Sequence, residues 1–475
     1  MKKLYVNELS KHLNEKITFE GFVDTIRDKK WVMFVILRDS KGKVQMTIEK
    51  SEEKNASLLE LMSDVTVDSV IKVEGLLKEN TAVKLGGMEL IPDTIEVLSK
   101  AEALPFDYNN LEGVSIDTRL DYRFLDLRNE KNMLVRQIES CMVGAMRDYL
   151  YKEDFTEIHT PKLIGAASES GSEVFEVKYF DRKAYLAQSP QFYKQMAMAA
   201  GMSKIFEVAP AFRAENSNTN RHATEFTSFD LEFSYIDSYE DVMDMEENLL
   251  IAGLTKVKEK YGEKIKEVFG KEVIVPTKPF PRIKLQDLYN ELKEKYDFVI
   301  PTEDVGDLNA EAEKLAYKYA MEKYNSEFLF ITDYSKTKRA FYHMRKNDIP
   351  QGYDLIWRGS EITTGAQREH RYEEIEKNAN ALFNKIENLE NVADINVEDT
   401  FSQIGGGSLP AERIKSKSVT IMPKNISTQS LEAKLRAGKN PVVGRISEEK
   451  LILDMRTVLE DEIDILAQKL IDILK

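Results

Sequence analysis

Six cations and three stacking or amide side chains crowd one short stretch of this chain. Arg27, Lys29, Lys30, Arg38, Lys41 and Lys43 are interleaved there with Trp31, Phe34 and Gln45. Aromatic faces stack bases, amides read their edges and cations meet phosphates, which is what a single-stranded loop of RNA requires. A second reading fits equally well: Phe34 is core and the lysines are a solvated rim. Other chemistries are easier to exclude. The five histidines (His12, His159, His222, His343 and His370) lack metal-ligand spacing, so no zinc site is expected. A phosphate loop of the GxxxxGKS or GxxxxGKT kind is absent, so any ATP site must use arginines. The single cysteine, Cys141, excludes an internal disulfide and fits a reducing cytoplasm. It falls in a helical apolar pattern, which predicts a buried thiol.

The elements that must carry these residues can be read from periodicity. At 475 residues the chain should hold two or three domains. With 42% hydrophobic and 31% charged residues it is an ordinary globular composition. No apolar run reaches membrane-spanning length, and MKKLYVNELSKHL has no apolar region behind its charges, so neither a span nor a signal peptide is expected. A net charge of −15 argues against general nucleic-acid coating but not against a local basic face. Residues 15–100 alternate like strands over ITFEGFVDTI, WVMFVILRD, KVQMTIEK, SVIKVEGLL and GGMELIPDTIEVLS, which predicts a small closed barrel of the OB type. After a linker with Pro105, Leu134, Ile138, Met142, Ala145 and Tyr149 share one helical face. Strands and helices then mix without a βαβ rhythm to about residue 375, predicting an α+β fold with a mainly antiparallel sheet.

Three segments resemble the signature set of class II aminoacyl-tRNA synthetases, in the aspartyl subgroup of archaeal and eukaryotic type. TRLDYRFLDLR followed by IHTPKL resembles motif 1, with Pro161 as the matching proline; in the family it forms a dimer interface. FRAENSNTNRHATEFTSFDLEF resembles motif 2, a strand hairpin of pattern FRxE…RHxxEF. The resemblance gives Arg213 the α-phosphate of ATP, a task its planar fork suits better than lysine would. It gives Glu215 the adenine amino group or the orientation of Arg213, Arg221 and His222 the outer phosphates, and Phe226 a stack on adenine. YDLIWRGSEITTGAQREHRYE is similar to the family segment whose acids hold magnesium on the triphosphate, here Asp354 and Glu361. Arg368 matches the arginine that grips the substrate's side-chain carboxylate, with Thr364 beside it. Within ASESGSEVF and YLAQSPQFYKQ, the resemblance assigns Glu169 to the substrate ammonium and Gln191 and Lys194 to the aspartate pocket, with Asp230 as a further partner of the ammonium. Arg368 plus Lys194 suits aspartate and not neutral asparagine. The implied activity is an aspartate–tRNA ligase, a cytoplasmic homodimer using ATP and magnesium. Arg27, Phe34 and Gln45 would read the anticodon of tRNA(Asp). Relatives restricted to one tRNA carry Pro-Lys where this chain has Thr81 and Ala82, which implies acceptance of tRNA(Asn) as well.

The end of the chain departs from that family. Motif 3 has roughly the form GGFGLGxER, whereas this chain offers IGGGSLPAERI. Gly405, Gly406, Leu409, Glu412 and Arg413 match, but Ser408 and Pro410 replace glycines. Residues from about 376 to 475 resemble instead the C-terminal end of bacterial selenocysteine synthase, through SQIGGGSLPAERIKSKSV and NPVVGRISEEKLILDMRTVLEDEID. That enzyme's cofactor-binding domain and Schiff-base lysine have no counterpart here. The expected domains are therefore an OB barrel over 1–100, a catalytic domain over 101–375 and a small α/β unit over 376–475. In that unit SKSVTIMP reads as a strand, residues 427–438 as a capped helix and VVGRIS with KLILDMR as a hairpin. Leu459, Ile463, Leu466, Leu470 and Leu474 line a last helix. Two readings of Arg413 stand: a replacement for the motif 3 arginine that binds the γ-phosphate, or a residue of an unrelated domain. The function has a corresponding alternative, an impaired fusion that binds tRNA without aminoacylating it.

Overall fold

The computed structural model describes residues 4–165, 174–214, 223–336, 338–340, 342–389, 391–403, 413–437, 440–455, 458 and 462–474. Glu169, Glu215, Arg221, His222, Gly438 and Leu459 lie outside these residues. The chain divides into two compact units, Met1–Met133 and Leu134–Lys475.

In the first unit, strict alternation of apolar residues closes a barrel. Strands β1 (Lys16–Asp28), β2 (Val32–Arg38), β3 (Lys43–Glu49), β4 (Val70–Glu79) and β5 (Met88–Ser99) pair in the order β1-β2-β3-β5-β4. Met33, Val35 and Leu37 of β2 and Val44, Met46 and Ile48 of β3 point inward, where Phe19, Ile71, Val73 and Leu90 meet them. Helix α1 (Ala56–Ser63) adds Leu58 and Met62 to this core. Gly75 is required where β4 shifts register against β5, because a Cβ there would lie 2.1 Å from the Ile91 carbonyl oxygen.

An ionic network ties the following linker to the barrel. Asp24 and Asp68 are buried; Arg38 pairs with both, Arg128 reaches Asp68 at 2.9 Å and Lys43 reaches Asp24 at 2.9 Å. The guanidinium groups of Arg38 and Arg128 both lie over the rings of Phe22 and Tyr108. Arg38 and Lys43 are thus committed to carboxylates, unlike the free phosphate-binding cations that their sequence context suggests. Short helices α2 (Ile116–Asp121) and α3 (Arg123–Asp126) follow, with the fully buried Asp126 held by Arg119 and Arg123.

The second unit begins within α4 (Glu130–Lys152), followed by β6 (Thr156–Glu157), β7 (Leu163–Ile164), β8 (Glu176–Tyr179), β9 (Arg182–Leu186), α5 (Gln191–Ala199), β10 (Lys204–Phe212) and β11 (Glu225–Phe233). Strands β7, β9 and β8 make a small sheet, and β11-β10-β6 a second one in which β10 and β11 pair from Lys204↔Phe233 to Phe212↔Glu225. The predicted apolar face of α4 is only partly covered: Leu134 is buried, while Met142, Ala145 and Tyr149 are half-buried. Cys141 lies one step off that row and is half-exposed, so the expected buried thiol is not found.

Next come α6 (Tyr239–Phe269), β12 (Arg282–Lys284), α7 (Leu285–Tyr296), α8 (Ala310–Tyr324), β13 (Phe328–Thr332), β14 (Arg345–Lys346), β15 (Ile349–Pro350), β16 (Gly352–Trp357) and β17 (Ser360–Ala366). The sheet β12-β13-β16-β17 is covered on both sides, so its central strands are buried almost from end to end, β13 as a nearly continuous apolar run and β16 with the charged Asp354 inside it. Phe328, Phe330, Tyr353 and Leu355 face Met243, Leu250 and Leu254 of α6. Leu329, Ile331 and Ile356 face Leu288 and Leu292 of α7 and Ala312, Ala316 and Tyr319 of α8. The α+β expectation holds, with parallel pairing among the described residues confined to β3–β5, β6–β10 and β12–β13.

The final segment builds its own core. Helix α9 (Tyr372–Ile386), β18 (Ala393–Gln403), β19 (Arg413–Pro423), α10 (Thr428–Arg436), β20 (Arg445–Ser447), β21 (Lys450–Asp454) and α11 (Ile463–Leu474) enclose Leu382, Ile386, Val419, Ile421, Leu431, Leu435, Leu451, Leu466 and Leu470. Its antiparallel sheet, β18-β19-β21-β20, shares no strand with the other sheets. Ser427 caps α10 by accepting from Ser430 N.

Removing Arg38 would leave the buried Asp24 and Asp68 with one cationic partner each, Lys43 and Arg128. Arg38→Met is expected to destabilise the first unit by on the order of 3 kcal/mol. Urea unfolding followed through Trp31 fluorescence tests this, and a loss below about 1 kcal/mol would mean that the network's desolvation cancels its attraction.

Candidate active site

On the barrel, register decides where the RNA-binding candidates point. Phe34 lies opposite Arg27 on β1 and Thr47 on β3, between the inward-facing Met33 and Val35. It is therefore on the outer face and half-buried, not part of the barrel core. Gln45 donates Nε2 to Thr47 Oγ1 at 3.2 Å, Thr47 donates to Glu89 Oε2 at 2.6 Å and Asn80 donates to Glu89 Oε1 at 2.8 Å. Thr47, Asn80 and Glu89 were not flagged by the sequence pattern, since only strand pairing brings them beside Phe34. Arg27, Lys29, Lys30, Lys41 and Trp31 are exposed around this patch, with Lys30 4.8 Å above the Trp31 ring.

In the second unit, Arg213 follows directly on β10. Its backbone N–H donates to Thr224 O at 3.0 Å, and its guanidinium lies 5.4 Å from the Phe226 ring centroid. Arg213 Nε is buried and has no partner among the described residues. One turn of α5 puts Gln191 and Lys194 on the same face, both buried, against alternating residues of β11. Lys194 Nζ reaches Asp230 Oδ1 at 3.2 Å and Glu232 Oε2 at 3.6 Å; Gln191 Nε2 donates to Glu232 Oε2 at 3.0 Å. Arg368, just beyond β17, approaches Glu232 Oε1 at 3.6 Å and lies over the Tyr342 ring at 4.7 Å. Glu232 was absent from the sequence-derived set, although its place two residues after Asp230 on one strand face could have revealed it. Beside Arg368, burial and then Arg339, Arg368 and Arg345 push His343 down to about 4, so it is neutral near pH 7.

The two acids assigned to magnesium sit on neighbouring strands of one hairpin. A bulge between Leu355 and Ile356 pairs Ile356 with Glu361, and so turns Glu361 to the face that carries Asp354 and Thr364. Asp354 is buried, paired with Arg339 through Oδ2, and its Oδ1 has no partner among the described residues. Burial, then the charge of Asp354, pushes Glu361 up to about 7; Glu313 and Asp307 add to this and Arg339 opposes it. An orphaned buried oxygen and a carboxyl strained by like charge fit a hard divalent cation. No group of three or more metal-ligating side chains occurs among the described residues, so remaining ligands would come from phosphates and water.

Behind this face lies a second carboxyl. Tyr353 donates its hydroxyl to Glu246 Oε2 of α6 at 2.8 Å, and Thr363 also bonds it. Gly365 permits the arrangement, because a Cβ there would meet the Tyr353 hydroxyl at 2.4 Å. Burial pushes Glu246 up to about 8.

Arg413 belongs by its backbone to β19, paired with Gln403 in the C-terminal sheet.

Comparison with known proteins gives a consistent answer. The family described as tRNA synthetases class II (D, K and N) matches residues 115–413, and the OB-fold nucleic acid binding domain matches residues 17–98. Aspartate–tRNA(Asp) ligase of Pyrococcus abyssi is 41% identical over 374 residues, 78% of this chain and 84% of that protein. Aspartate–tRNA(Asp/Asn) ligase of Methanopyrus kandleri is 42% identical, covering 76% of this chain and 81% of the relative. Among solved structures, asparaginyl-tRNA synthetase from Pyrococcus horikoshii with asparaginyl-adenylate superposes with a TM-score of 0.70 at 28% identity, covering 79% of this chain and 86% of that one. Aspartyl tRNA synthetase from Entamoeba histolytica gives 0.68 at 29%, covering 79% and 80%.

The Glu246 carboxyl also predicts a pH dependence of stability. Between the ordinary carboxylate range and about pH 8 the folded chain keeps a proton that the unfolded chain has lost, so stability falls as pH rises. The slope from this group is about −1.4 kcal/mol per pH unit. Glu246→Gln should flatten it, becoming more stable than the parent at about pH 8 but not at about pH 5. Urea unfolding at both pH values checks this, and parallel slopes would show that Glu246 ionises normally.

Proposed function

Because the chain belongs to the class II aminoacyl-tRNA synthetases, in the group of aspartyl, lysyl and asparaginyl enzymes, we propose that it activates L-aspartate with ATP and transfers it to tRNA(Asp). The observation that carries the choice of amino acid is the convergence of Arg368 and Lys194 on a single carboxylate, that of Glu232. Two cations that close on one carboxylate suit a substrate side chain that is itself a carboxylate. A neutral amide would leave them under-compensated. Asp230 and Glu169 are the acidic groups available to the substrate ammonium.

The aspartate carboxylate is already a nucleophile, so no general base is required. It attacks the α-phosphorus in line and pyrophosphate leaves; the ribose hydroxyl of the tRNA terminus then attacks the acyl carbon of the adenylate, the acyl–phosphate bond breaks, and AMP leaves as the hydroxyl proton is released. Arg213, with one side of its guanidinium turned to Phe226, neutralises charge that develops on the α-phosphate. Arg221 and His222 take the outer phosphates. Asp354, through Oδ1, and Glu361 would hold magnesium, which supplies charge neutralisation on the triphosphate. Catalysis rests on positioning and electrostatics.

The barrel face around Phe34, with Arg27 and Gln45, is the anticodon reader, and Thr81 with Ala82 leaves room for both aspartate and asparagine tRNAs. Exposed Ile116, Leu120 and Phe124 on α2 and α3 support a homodimer. No described helix is long and apolar enough to cross a membrane. The three domains are the barrel over 1–100, the catalytic domain over 101–375 and the C-terminal unit over 376–475. A second reading, tRNA binding without aminoacylation, is favoured by one observation: Arg413 lies in the ladder of the C-terminal sheet rather than in the sheets that carry Arg213 and Asp354.

ATP–pyrophosphate exchange separates the two. Exchange is expected with aspartate and not asparagine, and Arg213→Ala should lower it at least about a hundredfold. Absence of exchange with either amino acid, from folded protein, leaves the binding reading. Phe34→Ala should raise the KM for tRNA about tenfold, the loss of one stacked base, while exchange stays unchanged. Charging of purified tRNA(Asp) and tRNA(Asn) tests the breadth of recognition, and strict preference for tRNA(Asp) removes the claim for tRNA(Asn).

A further inference from the structure

Arg339 lies within the family match over 115–413 but outside its motif-like segments, and it is built deeply into the acidic face. It lies in the connection between β13 and β14, and its side chain is only 14% exposed. Its guanidinium is sandwiched by design of three contacts. One flat face lies 3.7 Å from the ring centroid of the buried Tyr334. Nη2 donates to Asp354 Oδ2, and Nη1 reaches toward Thr364 Oγ1 at 3.4 Å. The connection itself is anchored, because Arg345 Nη2 donates to the carbonyls of Lys336 and Arg339 at 3.2 and 3.3 Å. A fork held on one side by a ring and at its tips by two neighbouring residues cannot slide along the carboxylate.

Asp354 is therefore gripped by one oxygen only. Oδ2 takes the guanidinium, and Oδ1 is left buried without a partner among the described residues. An oxygen in that condition costs free energy unless a ligand meets it. The carboxyls of Glu361 and Asp307 repel it, and the buried Tyr334 hydroxyl beside Asp354 is likewise without a hydrogen-bond partner among the described residues.

We propose that Arg339 is a positioning residue for metal binding: by fixing Asp354 through Oδ2 it keeps Oδ1 turned to the cation that accompanies the nucleotide. This rests on the reading of Asp354 and Glu361 as the magnesium ligands. Arg339 itself touches neither metal nor substrate. Lysine would preserve the charge but not the arrangement, since a single ammonium has no flat face for Tyr334 and no second tip for Thr364, and can settle between both carboxylate oxygens. The role thus predicts that charge alone is insufficient.

The test uses the full chain with Mn2+ as probe and a non-hydrolysable ATP analogue, free Mn2+ being read by electron paramagnetic resonance. The parent is compared with Arg339→Lys and Arg339→Met, after thermal unfolding has confirmed that each variant folds. Arg339→Lys should bind Mn2+ in the ternary complex at least about tenfold more weakly, and Arg339→Met more weakly still, as losses of ligand-orienting partners generally do. Binding of the analogue in EDTA should be unchanged. Equal or tighter Mn2+ binding by Arg339→Lys overturns the proposal, because Arg339 would then merely compete with the metal. Weaker analogue binding in EDTA also overturns it, in favour of a direct phosphate contact. A parent that takes up no Mn2+ with the analogue overturns the magnesium reading, and this inference with it.

Discussion

Burying several carboxyls side by side is the constraint that shapes the second unit. Asp354, Glu361, Glu313 and Asp307 lie on one side of the β16–β17 hairpin, and desolvation, with the charge of Asp354 adding to it, pushes Glu361 and Asp307 upward. Such a cluster is stable only with positive charge built into the fold or brought by a ligand. The surrounding elements answer this need locally. Small residues on α8, Ala312 and Ala316, let the helix pack closely enough for Glu313 Oε2 to accept the Glu361 N–H at 3.0 Å. The bulge in the hairpin brings Glu361 round to Asp354, and the β13–β14 connection delivers Arg339. Nearby the logic is inverted, with Arg368 and Lys194 arranged around the carboxylate of Glu232. One pole of the site is cation-hungry and the other already pairs Arg368 and Lys194 with Glu232 and Asp230, a polarity suited to an amino acid with two carboxylates and one ammonium beside a metal-bound triphosphate.

What could be read from the residues alone was mostly local. Alternation gave all five barrel strands, because a period of two is visible within seven residues and the barrel's inner face tolerates no polar side chain. The FRAE…RHATEF segment announced a hairpin, and β10 and β11 on either side of it pair in unbroken register from Lys204↔Phe233 to Phe212↔Glu225. Ser427 announced a helix start that the hydrogen bond from Ser430 N realises. Each of these signals is contained in a window shorter than the element it specifies.

The remainder depends on contacts between distant parts of the chain. Arg38 looks like a phosphate-binding cation within its hairpin, but Asp68 and Arg128 lie 30 and 90 residues further on and decide its fate. Phe34 could be assigned to neither face until Arg27 and Thr47 were found opposite it. Glu246 meets Tyr353 across 107 residues, and no periodicity within α6 distinguishes it from the neighbouring Glu247. Cys141 sits on a helix whose apolar face is only partly covered, so pattern overstated its burial. Motif and period identify which residues carry chemistry; tertiary pairing determines which charges remain available for it.

The C-terminal unit sharpens this distinction. The buried core residues described for it run from Ala379 to Leu474, and among the described residues its sheet joins no other, so it packs largely within itself. Arg413 is drawn into that local order as the first residue of β19, opposite Gln403. A short match such as GGGSLPAER therefore carries a weaker implication than the same number of matches in FRAE…RHATEF. In the second case the surrounding strands place Arg213 beside Phe226 in the sheet shared with Asp230 and Glu232. In the first case the flanking strands, β18 and β19, satisfy each other. A motif's chemistry follows from the sheet its backbone joins, and for Arg413 that sheet is the C-terminal one. On the proposed reading, positive charge for the triphosphate then falls to Arg213, the residues of its hairpin and the magnesium that Asp354 and Glu361 would hold, rather than to the end of the chain.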